Sequence, residues 1–96
     1  MKVVINNCFG GFGLSMDALK RFEELGGLTK YTNTGLPYIY DIKRDDPALV
    51  QTVEELGKLA NDQYANLLIV EIPDDADWYI AEYDGNEWVA EGRTWP

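Results

Sequence analysis

Histidine is absent from this chain of 96 residues, and cysteine occurs once. Without histidine the usual general base near neutral pH is missing, and zinc sites built from His or several Cys are excluded. The lone Cys8 has no partner for an internal disulfide, which suits a reducing compartment. No apolar run approaches the ~18 residues of a membrane span, and the opening Val3-Val4-Ile5 is broken by Asn6 and Asn7 before a signal-peptide core is reached. The expected location is therefore the cytoplasm. Bases are scarce too: eight Lys and Arg against seventeen Asp and Glu give a formal charge of −9. That sign disfavours direct contact with nucleic acid or an anionic membrane, because phosphate binding needs clustered bases.

The shortage of bases is uneven. Residues 1–48 hold six bases and six acids, whereas residues 49–96 hold only Lys58 and Arg93 against eleven acids. A partner of the second half is expected to be cationic. What remains is ordinary for one folded domain spanning residues 1–96: 46% apolar and 26% charged, with three Trp, six Tyr and three Phe for a modest core.

Hydrophobic periodicity predicts seven elements in the order β, α, β, α, β, β, β. Val3-Val4-Ile5 reads as a short buried strand, followed by Gly10, Gly11 and Gly13 and by Ser15 at the N-cap of a helix. Ala18, Leu19, Phe22 and Leu25 recur at helical spacing until Gly26-Gly27. Tyr38 to Ile42 reads as a short strand on its aromatic content. Asp46-Pro47 starts a second helix with Leu49, Val53, Leu56 and Ala60 on one face and Glu54 and Lys58 paired i,i+4 on the other. Ala65 to Ile72 reads as a central strand, and Asp84-Gly85 joins Trp78–Tyr83 to Glu87–Glu91 as a hairpin. Two β-to-α units predict some parallel pairing. The expected fold is α/β to α+β: a single mixed sheet, with Val3 to Asn6 in its interior beside Leu67 to Ile72, two helices packed on one face and a C-terminal β-hairpin.

The stretch Asn7, Cys8, Gly10, Gly11, Phe12, Gly13, Ser15 is the first candidate site. Glycines allow several N–H groups to converge, and a helix N-terminus adds partial positive charge, so a phosphate has a place to sit. The dinucleotide fingerprint lacks its third glycine, with Met16 in that place, and no Gly-Lys-Ser/Thr ending makes a P-loop. A tight turn that brings helix close to sheet is the competing reading. Cys8 reads as a small buried residue rather than a nucleophile, since no histidine stands by to activate it. No catalytic residue, metal site or cofactor is expected.

The acids Asp74, Asp75, Asp77, Glu82, Asp84 and Glu87 lack calcium-loop spacing and read as a solvated rim. A two-residue turn at Asp84-Gly85 sets Glu82 opposite Glu87, which calls for a bridging cation such as Arg93 or for a bulge. Trp78, Tyr79, Tyr83, Trp88 and Trp95 crowd the same region. Core, protein interface and stacking pocket all remain open for them, because a hairpin has two faces and one helical layer covers one.

The segments MKVVINNCFGGFGLS, RDDPALVQTVEELG and LIVEIPDDADWYIAEYDGNEWVAE, with the final RTW, resemble a family of small proteins common in bacteriophage and prophage genomes. The likeness spans most of the chain and implies a source rather than a mechanism. Family members often carry His before the terminal Arg-Thr-Trp; Gly92 stands there here, so no His-dependent role carries over. Small phage proteins often counter host defence in the host cytoplasm, and two binding roles fit the residues. One sequesters a small phosphorylated, nucleotide-like ligand, with the glycine loop and Ser15 on the phosphate, Tyr83, Trp88 or Trp95 stacking and Arg93 supplying charge. The other docks a basic surface of a host protein through the acidic, aromatic hairpin. A homo-oligomer is compatible with either.

Overall fold

The computed structural model describes residues 1–91. The first strand, β1 (Lys2–Asn6), leads through the glycine loop into helix α1 (Met16–Glu24). Ser15 caps α1 as its sequence position predicts, its hydroxyl oxygen accepting from the Ala18 amide at 3.1 Å. At the other end Gly26, with φ of 94°, turns the chain so that the Gly26 and Gly27 amides reach the Glu23 and Phe22 carbonyls, a Schellman stop. Helix α2 (Pro47–Leu56) begins where Asp46 caps the Ala48 amide at 2.8 Å and Pro47 takes a position needing no N–H. It ends at Gly57, after which Gly57–Ala60 winds as a 3₁₀ turn. Lys58 therefore leaves the helical register; Glu54 pairs with Lys2 instead, at 2.5 Å.

Strands β2 (Lys30–Tyr31) and β3 (Pro37–Tyr38) form a two-residue ribbon, and Ile39–Asp41 is a 3₁₀ turn where a strand through Ile42 was expected. The spacing explains the difference. Ile39 and Ile42, three apart, both pack on the core, and a 3₁₀ turn places i and i+3 on one side where a strand would oppose them.

Strand β4 (Leu67–Glu71) pairs with β1, as expected, but antiparallel, with Val3 opposite Val70 and Ile5 opposite Leu68. Losing a full strand between the helices changes the parity of the chain's passes, so it returns to β1 in the opposite sense. Strands β5 (Trp78–Tyr83) and β6 (Asn86–Glu91) make the C-terminal hairpin around Asp84 and Gly85, whose φ values of 51° and 90° suit a type I′ turn. The fold is thus α+β, and among the described residues three two-stranded antiparallel sheets replace the expected single mixed sheet.

The β1–β4 ribbon is covered on both faces, which is why β1 reads as a continuous apolar run. Val4, Leu67 and Ile69 pack with Phe22, Leu49 and Val53 of the two helices, both on one face as expected. Val3, Ile5 and Val70 face Trp78, Ile80 and Val89 of the hairpin. The other edge of β1 has no strand partner among the described residues, so β1 is an edge strand of a two-stranded ribbon rather than the sheet-interior strand expected. There the Val4 amide donates to the Arg44 carbonyl at 2.8 Å and the Asn6 amide to Glu87 Oε1 at 2.8 Å.

Candidate functional site

The glycine loop and the hairpin turn meet in space. A Cβ on Gly85 would lie 2.7 Å from the Phe9 carbonyl and 2.8 Å from the Gly11 amide, so the two backbones touch. Asn6 ties the junction from beneath, its Nδ2 donating to the Cys8 carbonyl at 2.9 Å and the Gly85 carbonyl at 2.8 Å. Gly10 lies against the Tyr64 carbonyl and Gly13 against the Asp62 carboxylate, neither with room for a side chain. The Asn7 amide donates to the Asn66 carbonyl at 2.8 Å, and Cys8 Sγ reaches the Tyr64 carbonyl at 3.0 Å. Phe12 is buried, with the Arg44 guanidinium 3.6 Å above its ring. Beyond capping α1, Ser15 Oγ donates to the Leu59 carbonyl at 2.7 Å.

Charge around this loop is negative. Gly11 and Phe12 border a cavity of about 350 Å³ shared with Tyr40, Arg44, Glu82 and Glu87, and Asp62 stands behind Gly13. Among the described residues its single cation is engaged: Arg44 grips Glu87 with two nitrogens, Nη2 to Oε2 at 2.9 Å, and both side chains are largely buried. Sequence alone missed this pair, because residues 43 apart reveal no contact without the fold. Arg44 also answers the clash expected between Glu82 and Glu87, which do stand opposite each other without a bulge. Glu82 turns away to accept from the Gly85 amide at 2.5 Å. Arg93, offered for that role, lies with Trp95 outside the described residues.

The register of β5 and β6 separates the aromatics by face. Trp78, Ile80 and Val89 point to the core, whereas Tyr79, Tyr83 and Trp88 alternate outward with Ala81 and Ala90. The outward rings are exposed by 43%, 71% and 47%. Tyr79 to Tyr83 covers about 14 Å of strand, so these rings form one surface. Tyr79, which the sequence places among the crowded aromatics without a ligand-binding role, belongs to it by strand alternation. Residues 59–91, the stretch that ends in the hairpin, contain nine acids and no base; of these, Glu82, Glu87 and Glu91 alternate to the inner side with Ile80 and Val89. Glu87 is neutralised by Arg44, and Asp74 pairs with the N-terminal ammonium, which holds its carboxyl below the ordinary 3.8. Asp75, Glu82, Asp84 and Glu91 are exposed.

Of the residues proposed from sequence, then, Gly11 and Phe12 share a cavity wall with the hairpin, Asn7, Cys8, Gly10, Gly13 and Ser15 are engaged by the chain itself, and Tyr83 and Trp88 face solvent. Among the described residues no three Cys, Asp or Glu side chains are placed to hold a metal ion, and no helix is long and apolar enough to cross a membrane. No family model, curated protein or solved structure matches the chain.

Proposed function

We propose that this chain is a small, non-catalytic binding protein that docks a basic surface of another protein through the outer face of its C-terminal hairpin. One observation carries the reading: Tyr79, Tyr83 and Trp88 are exposed together on a segment that bears nine acids and no base. Tyr and Trp are the residues most enriched at binding hot spots, and carboxylates around them steer a cationic partner and reject anionic ones. The resemblance to phage proteins makes a host protein the expected partner and the host cytoplasm the place of action.

The anion cradle at the glycine loop has less support. Ser15 already uses its hydroxyl as donor and acceptor, and among the described residues Asp62, Glu82 and Glu87 outnumber the one cation, Arg44, which Glu87 occupies. A phosphate there would meet repulsion.

The test compares wild type with the double variant Tyr83→Ala/Trp88→Ala as baits in a bacterial lysate, with quantitative mass spectrometry of what is retained. Both rings are substantially exposed, so the variant is expected to keep its melting temperature. Basic proteins retained by wild type, lost with the variant and released by salt support the docking face; equal retention by both baits overturns it.

A further inference from the structure

We infer that the cavity between the 40–45 segment and the inner start of the hairpin is a second site, one that takes a small planar aromatic anion such as a nucleoside monophosphate. This cavity measures about 500 Å³, within the range of small-molecule sites. Its apolar walls come from two distant parts of the chain, Tyr40 and Ile42 on one side and Trp78 and Ile80 on the other. Tyr40 is 69% exposed, leaving ring surface for a ligand to cover. Aromatic walls of this kind accept a flat ring.

The uncommitted charges at the cavity are balanced and suit a ligand that carries an anionic group beside hydrogen-bond donors. Of the cations at the cavity, Arg44 is committed to Glu87, while Lys43 is exposed and its side chain has no hydrogen-bond or ion-pair partner among the described residues. The acids divide in the same way: Asp41 pairs with Lys30 at 3.3 Å, and the Asp45 carboxylate has no such partner. An uncommitted ammonium two residues from an uncommitted carboxylate suits a ligand with an acidic group at one end and hydroxyl or amino donors beside it. A nucleoside monophosphate combines those features with a planar base. The location also follows from the charge division of the sequence. Here the half of the chain with six bases meets the half that supplies the tryptophans.

The probes are AMP, adenosine and inorganic phosphate, titrated into the protein by calorimetry. AMP is expected to bind more tightly than either of the others, since each supplies only part of the recognition. Lys43→Glu should weaken AMP by about tenfold or more, the scale of one lost charged hydrogen bond, and Tyr40→Ala by about fivefold or more, the scale of one lost base-stacking contact. Lys58→Glu removes an equally unpartnered lysine elsewhere and should leave AMP binding intact, as should Tyr83→Ala/Trp88→Ala, which touches only the outer hairpin face. No saturable AMP binding near about 1 mM, the weak end of specific affinity, overturns the site. Binding of adenosine or phosphate as tight as AMP, or AMP binding indifferent to both Lys43→Glu and Tyr40→Ala in folded protein, overturns it equally.

Discussion

Asn6 is completely buried, and its amide spends both donors, Nδ2 on the Cys8 and Gly85 carbonyls, while its Oδ1 accepts from the Asn66 amide at 2.8 Å. Asn6→Leu keeps the approximate volume but strands the Asn66 amide and the Gly85 carbonyl. A loss of about 1–3 kcal/mol is expected in urea denaturation, the cost of one buried unpaired group, because the Gly85 carbonyl is part-buried while Asn66 is an exposed residue that water can reach. Arg44 and Glu87 present the same logic with charge. Arg44→Met leaves a buried carboxylate that must still serve the Asn6 amide, and should cost about 3–5 kcal/mol. Glu87→Gln retains an acceptor for that amide and should cost less. Combining Arg44→Met with Glu87→Gln should cost less than the sum of the two, since the partners share one interaction. Ser15→Ala removes a cap and a donor to Leu59 together, so about 1–2 kcal/mol is expected from thermal unfolding.

Among the elements, the loop between β1 and α1 distinguishes two uses of glycine. Gly11 has φ of 92° with open space where a Cβ would stand, so Gly11→Ala meets backbone strain alone, of about 1 kcal/mol. Gly10 lies against the Tyr64 carbonyl, where a methyl group forces the two loops apart. Gly10→Ala is expected to destabilise the protein more than Gly11→Ala, measured side by side in urea. The reverse order would mean that the 9–13 and 62–64 loops separate easily. The hairpin likewise has two unlike faces. Its inner residues Ile80 and Val89 seal the second core cluster, and the outer aromatics can be changed with little cost in stability. That contrast makes the double variant of Tyr83 and Trp88 a test of binding rather than of folding.

At the scale of the whole molecule, the exposed ion pairs give a definite pH response. Hydrogen bonds from Arg21 and then Gln51 hold Glu55 below its ordinary 4.5, and the N-terminal ammonium holds Asp74 below 3.8. Both carboxyls are depressed in the folded state, so their contribution is full above the unfolded values and disappears as pH falls through the folded ones. Lys2 is raised above 10.5, first by its hydrogen bond to Glu54, and its contribution is full below that value and lost as pH rises through the folded one. The melting temperature should be flat from about pH 5 to about pH 8 and fall below about pH 4.5. Each effect is small, because these groups are open to water. A calorimetric pH series checks the plateau; a maximum below about pH 4 would show that relief of the −9 charge outweighs the ion pairs.

Local chemistry was readable in the sequence because its causes lie within a few residues. The Ser15 and Asp46 caps, the Gly26-Gly27 stop, the Asp84-Gly85 turn and the opposition of Glu82 to Glu87 each follow from backbone geometry over two to six positions. Charge asymmetry was equally legible, being a matter of counting. Tertiary structure alone decided which way β4 runs beside β1, since that depends on a strand lost to the i,i+3 placement of Ile39 and Ile42. It alone found Arg44 for Glu87, across 43 residues, where sequence had offered only Arg93. It also decided which aromatics are core and which are surface, because alternation assigns residues to two faces but only packing shows which face is covered: Val3, Ile5 and Val70 cover Trp78, Ile80 and Val89, and Tyr79, Tyr83 and Trp88 are left to solvent.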